Sequence, residues 1–154
     1  MSKNIFDEIL LPYDGSKFSK KALEKAGDIS KRFGSNLHLL TIVNLSYVQP
    51  PGGLLGLTRR SNSPAKRFLN ASKLDAQKAL SEQARLCKMQ GAKVDHSIRV
   101  GNIAEQILRF AKQKKITLIV IGSQGLHGFG KIKTLGSTSR KVSELASCPV
   151  LIIR

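Results

Sequence analysis

The sequence predicts an α/β protein in which a parallel sheet carries helices on both faces. Three observations predict it. Short apolar runs alternate with stretches of helical apolar spacing through all 154 residues, an order that calls for parallel strands joined by helical crossovers. Several runs are continuously apolar, which is how a strand buried on both faces reads. The hydrophobic fraction is 41%, enough for a packed core.

The first strand is Ile9, Leu10 and Leu11, closed by Pro12. Asp14, Gly15 and Ser16 then offer a turn and a helix N-cap. Phe18, Ala22, Ala26, Ile29 and Phe33 fall at helical spacing, and Gly34 stands where that helix should stop. Residues 37–43 read as the second strand. Residues 44–64 are rich in Pro, Gly and Ser and too long for an ordinary connection, which marks them as a functional or mobile loop over about 44–65. A helix follows from about Ala65 to Met89, with Gly91 as its stop.

Val94, Ile98 and Val100 alternate with polar residues 95, 97 and 99, the period of a strand with one wet face at a sheet edge. Asn102 and Glu105 have capping-box spacing ahead of a helix that carries Ile103, Ile107, Leu108 and Ala111. Lys112, Lys114 and Lys115 suit its negative end. Residues 117–121 form a continuous apolar strand, 122–136 a glycine-rich loop, 137–146 a last helix and 150–153 a last strand.

The length predicts one domain over residues 1–154. No apolar run approaches the ~20 residues of a bilayer span, so no membrane partner is expected. The N-terminal segment turns acidic at Asp7 and Glu8, against a secretory leader. Cys87 and Cys148 form no paired-cysteine motif, which excludes a zinc site of that kind and fits a reducing cytoplasm. The chain carries 26 Lys+Arg against 10 Asp+Glu, a net charge of +16. That charge predicts attraction to an anion, whether nucleic acid, lipid or a small phosphate ligand.

In an open parallel sheet, ligands bind beyond the carboxyl ends of the strands where strand order reverses. The loops placed to reach that point are 12–16 and 122–136. The second leaves an apolar strand and enters a helix whose first residues are Ser137, Thr138 and Ser139. Glycines let a backbone approach a ligand, and a helix N-terminus presents free N–H groups to phosphate. Eight Lys or Arg and no acid lie between Glu105 and Glu144. Two other phosphate motifs fail. Gly125 to Lys131 fits a P-loop until Ile132 stands where Ser or Thr should bind magnesium. Gly128-Phe129-Gly130 lacks the third glycine of a dinucleotide fingerprint, and it follows the fourth strand, whereas the fingerprint follows the first.

Residues 9–16, Ile-Leu-Leu-Pro-Tyr-Asp-Gly-Ser, resemble the opening strand and turn of the universal stress protein family. The glycines at 122, 125 and 136, with Ser137, resemble that family's nucleotide-binding signature, and residues 148–153 resemble its final strand. The resemblance covers the whole chain. It implies a three-layer, five-stranded parallel sheet of order 3-2-1-4-5 and an ATP-binding cleft, with or without Mg²⁺. Pro12, Tyr13 and Asp14 would line the adenine and ribose region, and Ile42 would touch the base. Ile121 would begin the phosphate loop, and Gly122, Gln124, Gly125, Gly136, Ser137, Thr138 and Ser139 would surround ribose and phosphates. The family pattern has nine residues between its second and third glycines, whereas this sequence has ten, 126–135. The resemblance also implies a cytoplasmic homodimer through the last strand, Val150 to Ile153, whose apolar edge needs covering. The protein would act as a nucleotide-dependent stress-response regulatory module. No nucleophile or general base stands near the loop, so hydrolysis would be slow or absent.

Plainer readings stand beside these. Asp14 or Ser137 could simply cap helices, and the glycines could simply make turns. His38 and His96 read as structural or surface residues, Cys87 as core-facing and Cys148 as small packing. Three further functional readings are a true ATPase or nucleotidyl-transferring enzyme, a family member that has lost nucleotide binding and acts only through protein contacts, and a nucleic-acid binder or partner of some other acidic molecule. The last would use Arg59, Arg60, Lys66, Arg67 and Lys73, although Phe68 is the only aromatic between Pro50 and Asp75.

Overall fold

The computed structural model describes residues 4–44, 64–126 and 134–154. Most of the long connection with Arg59 and Arg60, and the middle of the glycine loop with His127, lie outside them. The elements are β1 (Glu8–Pro12), α1 (Lys17–Phe33), β2 (Asn36–Val43), α2 (Pro64–Met89), β3 (Lys93–Val100), α3 (Ile103–Gln113), β4 (Leu118–Gly122), α4 (Ser137–Leu145) and β5 (Val150–Ile153). All strand pairings are parallel, and the order is β3-β2-β1-β4-β5.

Successive side chains of a strand point to opposite faces, so each central strand feeds two cores. Ile9, Leu11, Leu37, Leu39, Leu118 and Val120 pack with Ala22, Leu23 and Ala26 of α1 and Leu80, Ala84 and Cys87 of α2. Leu10, Leu40, Ile119 and Ile121 pack with Ala104, Ile107, Phe110 and Ala111 of α3 and Val142 of α4. Burial of a Leu or Ile side chain contributes about 1.5–3 kcal/mol, and the continuous runs of the inner strands contribute on both faces.

β3 lies at the edge, as its alternation predicts; Asp95 and His96 are exposed while Val94 is buried. α1 ends at Gly34, whose φ of 68° favours a residue without a Cβ, and its N–H donates to Ser30 O. His38 is nearly buried, and its Nε2 sits 2.8 Å from Glu8 Oε2, while Asn36 Nδ2 donates to Glu8 Oε1 at 3.1 Å. It is a structural residue at the amino end of β2. Cys87 is buried among the α2 contacts, and Cys148 packs against the α3–α4 core.

Strand order reverses at β1. The chain leaves it for β2 and β3 on one side, then returns to β4 and β5 on the other. The β1–β2 ladder runs five residue pairs, while β1–β4 runs only two, Ile9 with Leu118 and Leu10 with Ile119. Pro12, with no N–H to donate, ends β1 at that opening. Past Pro12 the chain stays tied to β2: Tyr13 N donates to Leu40 O, and Thr41 Oγ1 donates to Tyr13 O, each at 2.8 Å. The gap beyond the short ladder is where the cleft forms.

Candidate functional site

The cleft has a volume of about 740 Å³ and is lined by residues from the ends of β1, β2 and β4 and the starts of α3 and α4. That is within the ordinary range of ligand pockets. All twelve residues singled out in the sequence line it: Pro12, Tyr13, Asp14, Ile42, Ile121, Gly122, Gln124, Gly125, Gly136, Ser137, Thr138 and Ser139. One wall is apolar, formed by Leu40, Ile42, Ile103, Ile107 and Ile121. Asp14, the glycine loop and the α4 N-terminus line the same cleft.

Asp14 is not a helix cap. Ser16 caps α1, its side chain accepting from Ser19 N at 3.1 Å. Asp14 Oδ1 instead accepts from Ser16 N at 2.9 Å, and Oδ2 accepts from Leu126 N at 3.2 Å. One carboxylate thus ties the β1–α1 turn to the β4–α4 loop. Gly15 between them has φ 79°, which this tight turn requires.

The signature glycines serve a different need. None of Gly122, Gly125 and Gly136 is among the positive-φ residues. Their value is close approach. A Cβ on Gly122 would sit 2.8 Å from the Phe18 carbonyl carbon, and one on Gly125 would sit 2.9 Å from Asp14 Oδ2. One on Gly136 would sit 3.3 Å from Ser123 O. They are therefore more than turn glycines: Gly122 lets β4 approach α1, Gly125 lets the loop approach Asp14, and Gly136 lets the start of α4 approach residues 123–124.

The loop closes on itself. Gly136 N and Ser139 Oγ each donate to Ser123 O at 2.8 Å, and Gln124 Nε2 donates to Thr134 O at 2.9 Å. These bonds hold the two described ends of the loop together. The Ser139 hydroxyl, also 3.0 Å from Gly136 O, is committed to the backbone and leaves only its amide for a ligand.

Gly136, not Ser137, is the N-cap of α4, and it brings no side-chain cap. Neither is there an acid in the first turn of α4. The first amides of a helix have no partner within it, and here they belong to three cleft residues, Ser137, Thr138 and Ser139. This end of α4 carries a partial positive charge and is open to an anion. By contrast, Asn102 caps α3, its Oδ1 accepting from Glu105 N at 3.1 Å.

Tyr13 lines the cleft, but its ring belongs to the α1–α2 core. Burial, the Asp14 carboxylate and the nearby Cys87 push its hydroxyl pKa up. The α3 side of the cleft, with Asn102 and Ile103, and the basic Lys141 were not singled out in the sequence. The capping box at 102–105 was the available signal, because it puts the start of α3 at the carboxyl end of β3. Among the described residues no group of three or more His, Cys, Asp or Glu could hold a metal ion. Asp14 is the one carboxylate among the cleft residues described, and both its oxygens already accept N–H groups.

The fold and cleft define a parallel α/β protein with a cleft at its switch point and an uncapped helix N-terminus among the residues that line it. The chain belongs to the universal stress protein family, whose sequence model matches residues 6–154. It is 34% identical over 150 residues to universal stress protein YxiE of Bacillus subtilis, covering 97% of this chain and 100% of that one. Its fold is similar to that of universal stress protein UspA from Lactobacillus plantarum, with a TM-score of 0.84 and 26% identity over 97% of this chain and 98% of that one. It is also similar to the universal stress protein of Archaeoglobus fulgidus solved in complex with dAMP, with a TM-score of 0.66 and 21% identity over 98% and 100% of the two chains. No helix among the described residues is long and apolar enough to cross a membrane.

Proposed function

We propose that the cleft binds an adenine nucleotide, ATP foremost, and that the protein is a nucleotide-dependent regulatory module of the stress response with slow or no hydrolysis of its own. The observation that carries this reading is that the uncapped α4 N-terminus and a set of apolar side chains line one cleft. A flat base fits against Ile42, Ile103 and Ile121; phosphates fit the amides of Ser137, Thr138 and Ser139. The bound dAMP of the Archaeoglobus fulgidus relative agrees with an adenine ligand. Mg²⁺ would arrive on the phosphates, with Asp14 the nearest carboxylate, since magnesium commonly keeps its waters and takes one or two protein ligands.

The same reading has one domain over 1–154, in the cytoplasm, paired with a second copy through β5. Two features support pairing. β5 is the outermost strand, and Leu151 on it and Leu145 just before it are 39% and 59% exposed. A separate contact with an acidic macromolecule draws support from α1 and α2, which lie on one face of the sheet and each carry six Lys or Arg against two acids.

The test is direct. Small molecules released from the denatured protein are identified by mass spectrometry, and nucleotide-free protein is titrated with ATP. Saturable binding of one ATP per chain is expected. No binding at millimolar ATP would end the nucleotide reading.

A further inference from the structure

Lys141 stands at the meeting of two helix starts. It lines the cleft from the second turn of α4, four residues after Ser137 and three after Thr138. Side chains of a helix lean toward its N-terminus and cover the turn before their own. The Lys141 side chain is therefore within reach of the turn whose first residues line the cleft. Its Nζ lies 3.9 Å from Glu105 Oε1, at the limit of an ion pair, with the two side chains 45% and 64% exposed. A pair that long and that wet holds its cation weakly.

Glu105 has a second attachment. It sits in the first turn of α3, where a carboxylate is favoured by the helix dipole. It does not depend on Lys141 to stay there. Lys141, in contrast, has no helix-end preference to satisfy in the second turn of α4, and a doubly charged phosphate would attract it more strongly than a solvated carboxylate.

We propose that Lys141 is a ligand-binding residue that exchanges Glu105 for the outer phosphates of the bound nucleotide, and so sets a preference for di- and triphosphates over monophosphates. The inference rests on the nucleotide reading above. The α4 amides serve whichever phosphate lies nearest the sugar. The flexible Lys141 side chain serves charge further out. Glu105 acts as a competitor whose removal frees the lysine.

The experiment is calorimetric titration of nucleotide-free protein with ATP, ADP and AMP, for the wild type and the Lys141→Gln, Lys141→Arg and Glu105→Gln variants. Lys141→Gln should weaken ATP by about tenfold, the scale of a hydrogen bond to a charged group, while changing AMP by less than about threefold, within the range of an exposed pair. Lys141→Arg should keep the preference for ATP. Glu105→Gln should tighten ATP by about threefold and leave AMP unchanged, because only the competitor is removed. Equal losses for ATP and AMP in Lys141→Gln, or weaker ATP binding in Glu105→Gln, would overturn the exchange. A wild type that binds all three but is indifferent to Lys141 refutes this inference alone; a wild type that binds none refutes the nucleotide reading itself.

Discussion

Replacing Gly122 with alanine is expected to damage the fold before it damages any binding. Gly122 is buried at the end of β4, against the first turn of α1. The added Cβ would lie 2.8 Å from both the carbonyl carbon and the Cβ of Phe18, and 3.0 Å from its oxygen. Carbon atoms prefer about 3.5–4.0 Å, so β4 and α1 must part by roughly 0.7 Å or more. Two of the three atoms are backbone of a helix already fixed by the Ser16 cap, and no rotamer change can move them. Overpacking of this kind costs about 1–3 kcal/mol. Alanine returns about 0.4–1 kcal/mol through a stiffer unfolded chain, which leaves a net loss near 1–2 kcal/mol. At about 2–4 °C per kcal/mol for a domain of this size, the midpoint of thermal unfolding should fall by roughly 2–8 °C. Urea unfolding followed by circular dichroism gives the free energy directly. A Gly122→Ala protein as stable as the wild type would show that the β4–α1 contact is looser than described. Gly125→Ala is the internal control, because its Cβ meets only the end of the Asp14 side chain, at 2.9 Å. It should cost less stability than Gly122→Ala while weakening ATP binding, because it disturbs the Asp14–Leu126 bond.

Asp14→Ala removes the acceptor of both Ser16 N and Leu126 N; a loss of about 1–2 kcal/mol is expected, together with faster amide exchange at Leu126. Lys115 holds φ 52° without being glycine, so Lys115→Gly should relieve about 1–2 kcal/mol of backbone cost, against about 0.5–1 for glycine's freedom when unfolded, and raise the urea midpoint slightly. Burial pushes the pKa of Cys87 above its ordinary 9.0 and that of Tyr13 above 10.0. Both groups favour the protonated form when folded, so their contribution is whole below those values and is lost as pH rises through the folded ones. Tyr13→Phe should therefore show a shallower loss of stability than the wild type above pH 10 in a pH series of urea midpoints. Leu151→Lys should turn a dimer into a monomer in sedimentation at tens of micromolar, a range that reports on such an equilibrium; a wild type already monomeric there would remove β5 pairing. Binding to duplex DNA that does not weaken steeply with salt would remove the basic-surface contact.

The sequence by itself determined the element order, because apolar period and punctuation are local properties. Ile9 to Leu11 and residues 117–121 cannot be solvated, and Gly34 must end a helix. It also marked twelve of the cleft residues, since a family signature is read in one dimension. The tertiary structure decided what those residues do. Only in space does Gly122 meet Phe18, across 104 positions of chain, and show that its lack of a side chain serves packing. Only in space does Asp14 turn from a candidate cap into a brace for Leu126, and Ser139 spend its hydroxyl on Ser123. The pairing of Lys141 with Glu105 carried no signal, because two residues 36 positions apart on two helices share no period and no motif. The reason is general to parallel sheets. The strands are written locally, but the site lies where their ends converge, and that convergence is set by strand order and by the short β1–β4 ladder.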